Sequence, residues 1–363
     1  MLYDPLPQVA QNIYLQTFEG AQLRALQRGV NALNGSFNRK KVSGIDYWYF
    51  QYTGANSKLV QFFVGPDSES LRKLIDEKKA APDSTSLRAM AESAIKLGCR
   101  PITNEHFKVL SPLEQHGLFA AGAVLVGTHA FIAYGNMLGV RWKDQLGTED
   151  LDFAHAGRSV SVALPSNFSL NTQDIVHSLE MGFLPASTFG KVFGGSFVHP
   201  KQPEFRLDFL TAKTSESDAP VFNVQLGTSL QPLPFIHYSL EEVQQVVLLS
   251  SLGPVFVTVP HPARYAVHKL LVFGERSGAY VVKAKKDLDQ AAALIEWYLN
   301  NNSAVLLEKE SVLIGQGKGW QKRYETGLKA LANTYGQLHK RLELARASFR
   351  PGDVNKDDGW ASE

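Results

Sequence analysis

The stretch Val124 to Phe153, VLVGTHAFIAYGNMLGVRWKDQLGTEDLDF, constrains this chain more than any other. A short apolar run ends in Gly127-Thr128 and an amphipathic segment follows. Asp150 and Asp152 then stand two residues apart within the apolar frame of Leu151 and Phe153. Side chains at i and i+2 of a strand leave the same face. A strand here therefore sends Leu151 and Phe153 into a core and both carboxylates out together. Two unit charges about 4 Å apart repel by roughly 4 kcal/mol at an effective dielectric near 20. Such a pair on a core strand calls for a neutraliser, and a hard divalent cation with oxygen ligands, Mg²⁺, is the natural one.

The surrounding pattern predicts a mixed sheet with helices, an α+β core over residues 99–232. Strands are expected at Ala123–Val126, Glu149–Phe153, Ser196–His199 and Glu204–Leu210. Helices are expected at Thr128–Leu138 and Asn171–Met181, the second capped by Asn171 or Thr172. Residues 1–98 read as an N-terminal helix and hairpin region. A helix spans Leu6–Asn34, a polar basic loop Ser36–Lys41, and an aromatic hairpin Asp46–Pro66 that turns at Thr53–Lys58. Charged helices then follow at Asp67–Lys79 and Ser86–Leu97. Residues 233–350 read as mainly helical, after a strand-like Val246–Val259 interrupted at Gly253-Pro254. Helices are expected at Pro262–Arg276, Asp287–Asn300 and Trp320–Ser348, with Pro262 at a first helical position. The polar tail 351–363 is expected to be disordered.

Two further features join the carboxylate pair. Arg206-Leu207-Asp208-Phe209-Leu210 is a second apolar-framed carboxylate on a predicted strand, so Asp208 is the third acidic ligand if the two strands are neighbours. The alternative for Asp208 is a strand-edge ion pair with Arg206. Gly127-Thr128 sits where strand gives way to helix. Glycine there permits close backbone approach, and helix-terminal N–H groups suit a phosphate. Thr128 either caps the helix or donates to a phosphate oxygen. Together these residues form a phosphoryl-transfer site, with backbone donors on a triphosphate and carboxylates on one or two Mg²⁺ ions.

The order Gly127-Thr128-x-Ala130, a helix, Thr148-Glu149-Asp150-Leu151-Asp152-Phe153 and a later strand Asp resembles the DNA polymerase β-type nucleotidyltransferase superfamily. Tyr134, Gly139 and Arg141-Trp142 resemble bacterial nucleotidyltransferase-like proteins of that group. The chain departs mildly in having Thr128 where many members have Gly or Ser, and threonine keeps the hydroxyl. The segments Pro262–Leu270 and Ala284–Leu288 are similar to the AbiE-type and MenT-type toxin branch, which uses a helical lysine and a downstream Lys/Arg-Asp pair. The resemblance implies a polymerase β-like nucleotidyltransferase core, transfer of NMP from an NTP to a hydroxyl, and Mg²⁺ held by Asp150, Asp152 and Asp208. It also implies Lys269 on the triphosphate and Asp287 near the edge of the site. Read from the residues alone, Lys269 either meets a partner or snorkels to solvent. Asp287 serves equally as a helix N-cap. Arg141 contacts phosphate or pairs with Asp144.

Composition excludes little else. The net charge of +2 gives no global pull towards polyanions. One cysteine, Cys99, rules out an internal disulfide and a cysteine-rich zinc site, and it reads as buried and incidental. The histidines lack metal-ligand spacing, so His155, His261 and His268 read as incidental. The N-terminus does not read as a signal peptide, and no apolar run approaches the roughly 20 residues of a membrane span. A cytoplasmic protein without a membrane partner is expected. Two segments point to a polyanion: Lys318–Arg350 carries eight Lys/Arg against two Glu, and Arg39-Lys40-Lys41 precedes the aromatic hairpin. Basic residues beside aromatics grip RNA by phosphate pairing and base stacking. The expected acceptor is an RNA or tRNA 3′ end. A protein hydroxyl, a small molecule, a silent RNA- or partner-binding module, and an antitoxin or regulatory partner protein are the alternatives.

Overall fold

The computed structural model describes residues 1–32, 36–42, 45–53, 59–76, 84–143, 150–155, 170–187, 193–214, 217–275 and 281–350. The chain opens with β1 (Tyr3–Pro5), α1 (Gln8–Ala32), β2 (Ser36–Val42), β3 (Ile45–Thr53), β4 (Leu59–Pro66), α2 (Glu69–Asp76), α3 (Ser84–Lys96) and α4 (Asn104–Gln115). The middle is β5 (Ala123–Leu125), α5 (Gly127–Met137), β6 (Val140–Trp142), β7 (Leu151–His155), α6 (Thr172–Ser178), β8 (Leu184–Ser187), β9 (Phe193–His199), β10 (Gln202–Ala212), β11 (Val221–Asn223) and β12 (Thr228–Leu233). It ends with α7 (Ile236–Leu240), β13 (Val243–Ser250), β14 (Gly253–Pro260), α8 (Pro262–Glu275), α9 (Val281–Asn301), α10 (Ser303–Ile314), α11 (Lys318–Thr334) and α12 (Gly336–Ser348). Among the described residues no helix is long and apolar enough to cross a membrane.

The mixed sheet expected for the core is present, with the order β11-β12-β10-β7-β5 and β9 and β8 added beside β10. β7 and β10 run parallel, while β5 lies antiparallel to β7. Residues in register on parallel neighbours share a face. Leu151 with Leu207 and Phe153 with Phe209 are such pairs, buried to 1% exposure or less. The two phenylalanine rings stack, Phe153 and Phe209 lying 5.1 Å apart at 16°. This apolar layer rests on a core that runs from Tyr3 to Leu342.

Several elements differ from the sequence expectation. Ser36–Lys41, read as a loop for its polarity, is strand β2, paired along its length with β3. The pairing partner lies outside the segment, so its own polarity gave no period to read. Trp320–Ser348 is two helices, α11 and α12, that part at Tyr335-Gly336. α4 and α10 were not anticipated, and α9 starts six residues before Asp287. The strand-like segment around Gly253-Pro254 is the hairpin β13–β14. It packs on α1 and α3 through Tyr14, Ala91, Val247 and Leu249, and the Tyr14 hydroxyl lies 3.2 Å from the Val247 carbonyl. Residues 54–58 of the expected hairpin turn, Asp144, Thr148, Glu149 and the expected disordered tail 351–363 lie outside the described residues.

Helix α8 is held firmly on both sides. Arg264 donates to the Tyr238 carbonyl at 2.8 Å, to Glu241 at 2.6 Å and to Glu242 at 3.1 Å, and Glu242 also meets Lys309 of α10 at 2.9 Å. On the far side Gly274 and Gly327 let α8 and α11 touch backbone to backbone. A Cβ on Gly274 would collide with the Arg323 carbonyl, and one on Gly327 with that of Leu270.

Candidate active site

The site forms where β7, β10 and the start of α5 meet. Asp152 and Asp208 are register partners on the parallel strands, so both carboxylates leave the face opposite the buried leucines and phenylalanines. Asp150 precedes β7 by one residue, two positions from Asp152. The three expected ligands are thus brought together on one face of two interior strands, the acidic edge of the site. Burial, then the charges of Asp150 and Asp208, push the Asp152 carboxyl up to about 7, against the opposing pull of Lys269 and Lys283. Asp208 accepts from the Ser196 hydroxyl at 2.6 Å, and its other oxygen lies 3.2 Å from Arg206 Nε. The ion pair weighed as an alternative is therefore present. No three His, Cys, Asp or Glu side chains among the described residues already close around one point. The donor set of Asp150, Asp152 and Asp208 is the all-oxygen kind that a hard divalent cation takes.

Gly127 begins α5 with φ +66°, and a methyl group there would collide with Asp152 Oδ2. Only glycine lets the helix start this close to the carboxylate. The Val126 amide donates to the Asp152 carbonyl at 2.9 Å, which fastens this turn to β7. Val126 occupies the N-cap position and supplies no capping side chain. Thr128 is inside the first turn and buried, so it is not the cap that sequence left open. The first-turn N–H groups and the positive end of the helix dipole therefore face the acidic edge without a capping side chain.

Lys269 of α8 and Asp287 of α9 meet at 2.6 Å, with side-chain exposures of 14% and 4%. This rules out snorkelling for Lys269, and Asp287 lies inside α9 rather than at its N-cap. Lys286, adjacent to Asp287, lies within the segment Ala284–Leu288. Burial pushes its ammonium below the usual lysine range, while Asp150, Asp152 and Asp287 pull it back up. Lys286, Lys283 and Lys269 thus form a cationic side to the acidic edge. The signal that could have found Lys286 was a lysine on the apolar-periodic face of a helix beside the pair Lys269 and Asp287. Arg141 stands apart: it is exposed on β6, opposite Asp4 of β1, in a separate two-stranded sheet.

His129 follows Thr128 in α5. It is buried and packs edge-on against His106 at 4.4 Å. Burial, reinforced by His106, holds its pKa well below the usual histidine value, against the opposing pull of Asp150. His155 is structural, its Nε2 lying 3.1 Å from the Ala121 carbonyl. Cys99 is buried with its thiol pushed up to about 11, which leaves it without thiolate character at neutral pH.

One similar solved structure is that of an antigenic nucleotidyltransferase-like protein from Paracoccidioides brasiliensis. It is 15% identical, covers 67% of this chain and 95% of its own, and superposes with a TM-score of 0.34. No curated protein matches the chain. The family model described as Nucleotidyltransferase matches residues 104–312, more than half the chain, and spans the acidic strands, the Gly127 turn and the lysine-bearing helices. The chain belongs to this nucleotidyltransferase family, enzymes that transfer a nucleoside monophosphate from a nucleoside triphosphate.

Proposed function

We propose that the enzyme moves NMP from an NTP to a hydroxyl at an RNA 3′ end, the tRNA acceptor end in particular, with Mg²⁺ and with release of pyrophosphate. The observation that carries this reading is the in-register pair Asp152 and Asp208, with Asp150 beside them and the α5 start facing them. Asp150 and Asp152 would hold the metal, and Asp208 would complete the ligand set on the acceptor side. Bound there, Mg²⁺ offsets the repulsion among the carboxylates and stabilises charge on the transferred group and the leaving pyrophosphate. The Gly127 and Thr128 amides hold triphosphate oxygens. Lys269 and Lys286 supply the positive charge, and Asp287 fixes Lys269. Asp208 takes the proton of the attacking hydroxyl as that oxygen bonds to the α-phosphorus and the bond to pyrophosphate breaks.

The close pairing of Lys269 with Asp287 supports an arrangement of the toxin-branch kind, in which two distant motifs serve one site. An RNA acceptor is favoured by α11 and α12. Lys318, Lys322, Lys329, Lys340, Arg341 and Arg350 are exposed there, while Arg323 and Arg346 are engaged by Glu275 and Glu310. A run of exposed cations suits a phosphate backbone.

The test is incubation of the protein with each NTP labelled in its α-phosphate, Mg²⁺ and total RNA, beside the Asp150→Ala/Asp152→Ala variant. Label is expected in a tRNA-sized band with wild type alone, and EDTA should remove it. Label entering protein instead would replace the RNA acceptor with a protein hydroxyl. Equal labelling by the variant would refute the carboxylate assignment.

A further inference from the structure

Tyr265 of α8 reaches across the fold to the turn where α5 begins. Its hydroxyl stands 2.9 Å from the Gly127 carbonyl oxygen and 2.7 Å from Oε1 of Gln290 on α9. Tyr265 is 2% exposed and Gln290 fully buried, so no water competes for these contacts. A single hydroxyl proton cannot serve two acceptors. The Gln290 amide nitrogen, meanwhile, is buried without a partner. An amide's oxygen and nitrogen exchange places at no steric cost. With Nε2 towards Tyr265, Gln290 donates to the hydroxyl and the hydroxyl donates to Gly127. The result is a directed chain from α9 through α8 to the start of α5.

The chain ends on the first peptide of α5, whose N–H has no partner within the helix. Gly127 sits at φ +66° and its neighbour Val126 offers no capping side chain. A glycine reaches this conformation readily and leaves it as readily. The C=O of Gly127 and the N–H of Thr128 belong to one planar trans peptide and point in opposite directions. Anchoring the carbonyl on Tyr265 therefore aims the Thr128 N–H away from Tyr265, along the helix axis and out of its N-terminus. One turn further along α8, Lys269 lies 5.0 Å from the Tyr265 ring and reaches Asp287. Residues four apart on a helix share a face. One face of α8 thus sets both the backbone donor and the cation expected around a triphosphate.

We infer that Tyr265, oriented by Gln290, is a positioning residue that aims the Gly127–Thr128 peptide N–H at the phosphates of the NTP. The inference rests on reading Gly127-Thr128 as the triphosphate cradle. Magnesium tripolyphosphate, titrated calorimetrically into the full chain, tests it without knowledge of the base. Tyr265→Phe should weaken binding roughly tenfold, the worth of one well-aimed hydrogen bond. It should raise KM for the transferred NTP by the same factor. Tyr134→Phe is the control. Tyr134 is equally buried, packs edge-on against Tyr265 and donates to the Pro260 carbonyl at 2.7 Å rather than to Gly127; the phenylalanine keeps the ring contact, so loss of this hydroxyl should leave tripolyphosphate affinity within about twofold. Should Tyr265→Phe fail to fold, Tyr265→Phe/Gln290→Met removes the stranded amide and carries the same expectation. Unchanged affinity in a folded Tyr265 variant would overturn the inference and leave the cradle standing. Equal weakening by Tyr134→Phe would also overturn it, showing a general loss of packing. Absence of tripolyphosphate binding by wild type would overturn the cradle itself.

Discussion

Replacing Asp152 by Asn should stabilise the metal-free protein, and by an amount that depends on pH. The folded-state value of Asp152 is about 7 against an ordinary 3.8, raised by burial and by Asp150 and Asp208. Below about pH 3 the carboxyl is protonated in both folded and unfolded chains, and wild type and variant should behave alike. As pH rises through this window the unfolded chain loses its proton first, so the wild type loses stability that the Asp152→Asn variant retains. Three pH units at 1.36 kcal/mol each set a ceiling of about 4 kcal/mol, reached above pH 7. Asp152 keeps some contact with solvent, which brings the expected gain to about 2–3 kcal/mol. Thermal melts of both proteins in EDTA from pH 5 to 8 read this directly, the gap in Tm widening steadily with pH. Mg²⁺ should then raise the wild-type Tm and leave the variant's nearly unmoved, because only the wild type keeps the full ligand charge. Parallel Tm curves across pH 5–8 would refute the claim that the acidic trio repels itself. A Mg²⁺ response equal in both proteins would refute Asp152 as a ligand.

Asp150→Ala should abolish nucleotidyl transfer in the labelling assay while leaving Tm the same or higher, through the same relief of repulsion. Gly127→Ala should abolish NTP binding and cost about 1–3 kcal/mol in urea denaturation, because the methyl group meets Asp152 and φ +66° strains an alanine. Asp287→Ala should lower stability by about 3 kcal/mol in the same assay, because it leaves the Lys269 ammonium largely buried without its carboxylate. Lys286→Ala should raise KM for the NTP about tenfold or more, as expected for a charged contact to phosphate, with little change in urea midpoint.

The parts of the site that could be read from sequence are those whose signal is local. Asp150 and Asp152 declare themselves because strand geometry turns a spacing of two into a shared face, and Leu151 and Phe153 mark the opposite face as core. Gly127 declares itself because a glycine between an apolar run and a helix has few structural uses, and the collision that a Cβ would make with Asp152 shows why it is needed here. What the residues by themselves hid is what depends on two helices crossing; the family resemblance pointed to Lys269 and Asp287 but not to their contact. Lys269 and Asp287 are 18 residues apart, and each alone suits an ordinary surface role; only the packing of α8 on α9 makes them a buried pair. Lys286 was passed over for the same reason, since its one-residue offset from Asp287 says nothing about Asp150, 136 residues away along the chain. Tyr265 was the least legible of all. Its apolar neighbours mark it as core, which is correct, and its hydroxyl carries its role only through a carbonyl 138 residues distant. Buried aromatic hydroxyls on the helices that wall such a site are therefore where unrecognised positioning residues are to be sought, because the low dielectric that hides them also makes each of their hydrogen bonds count.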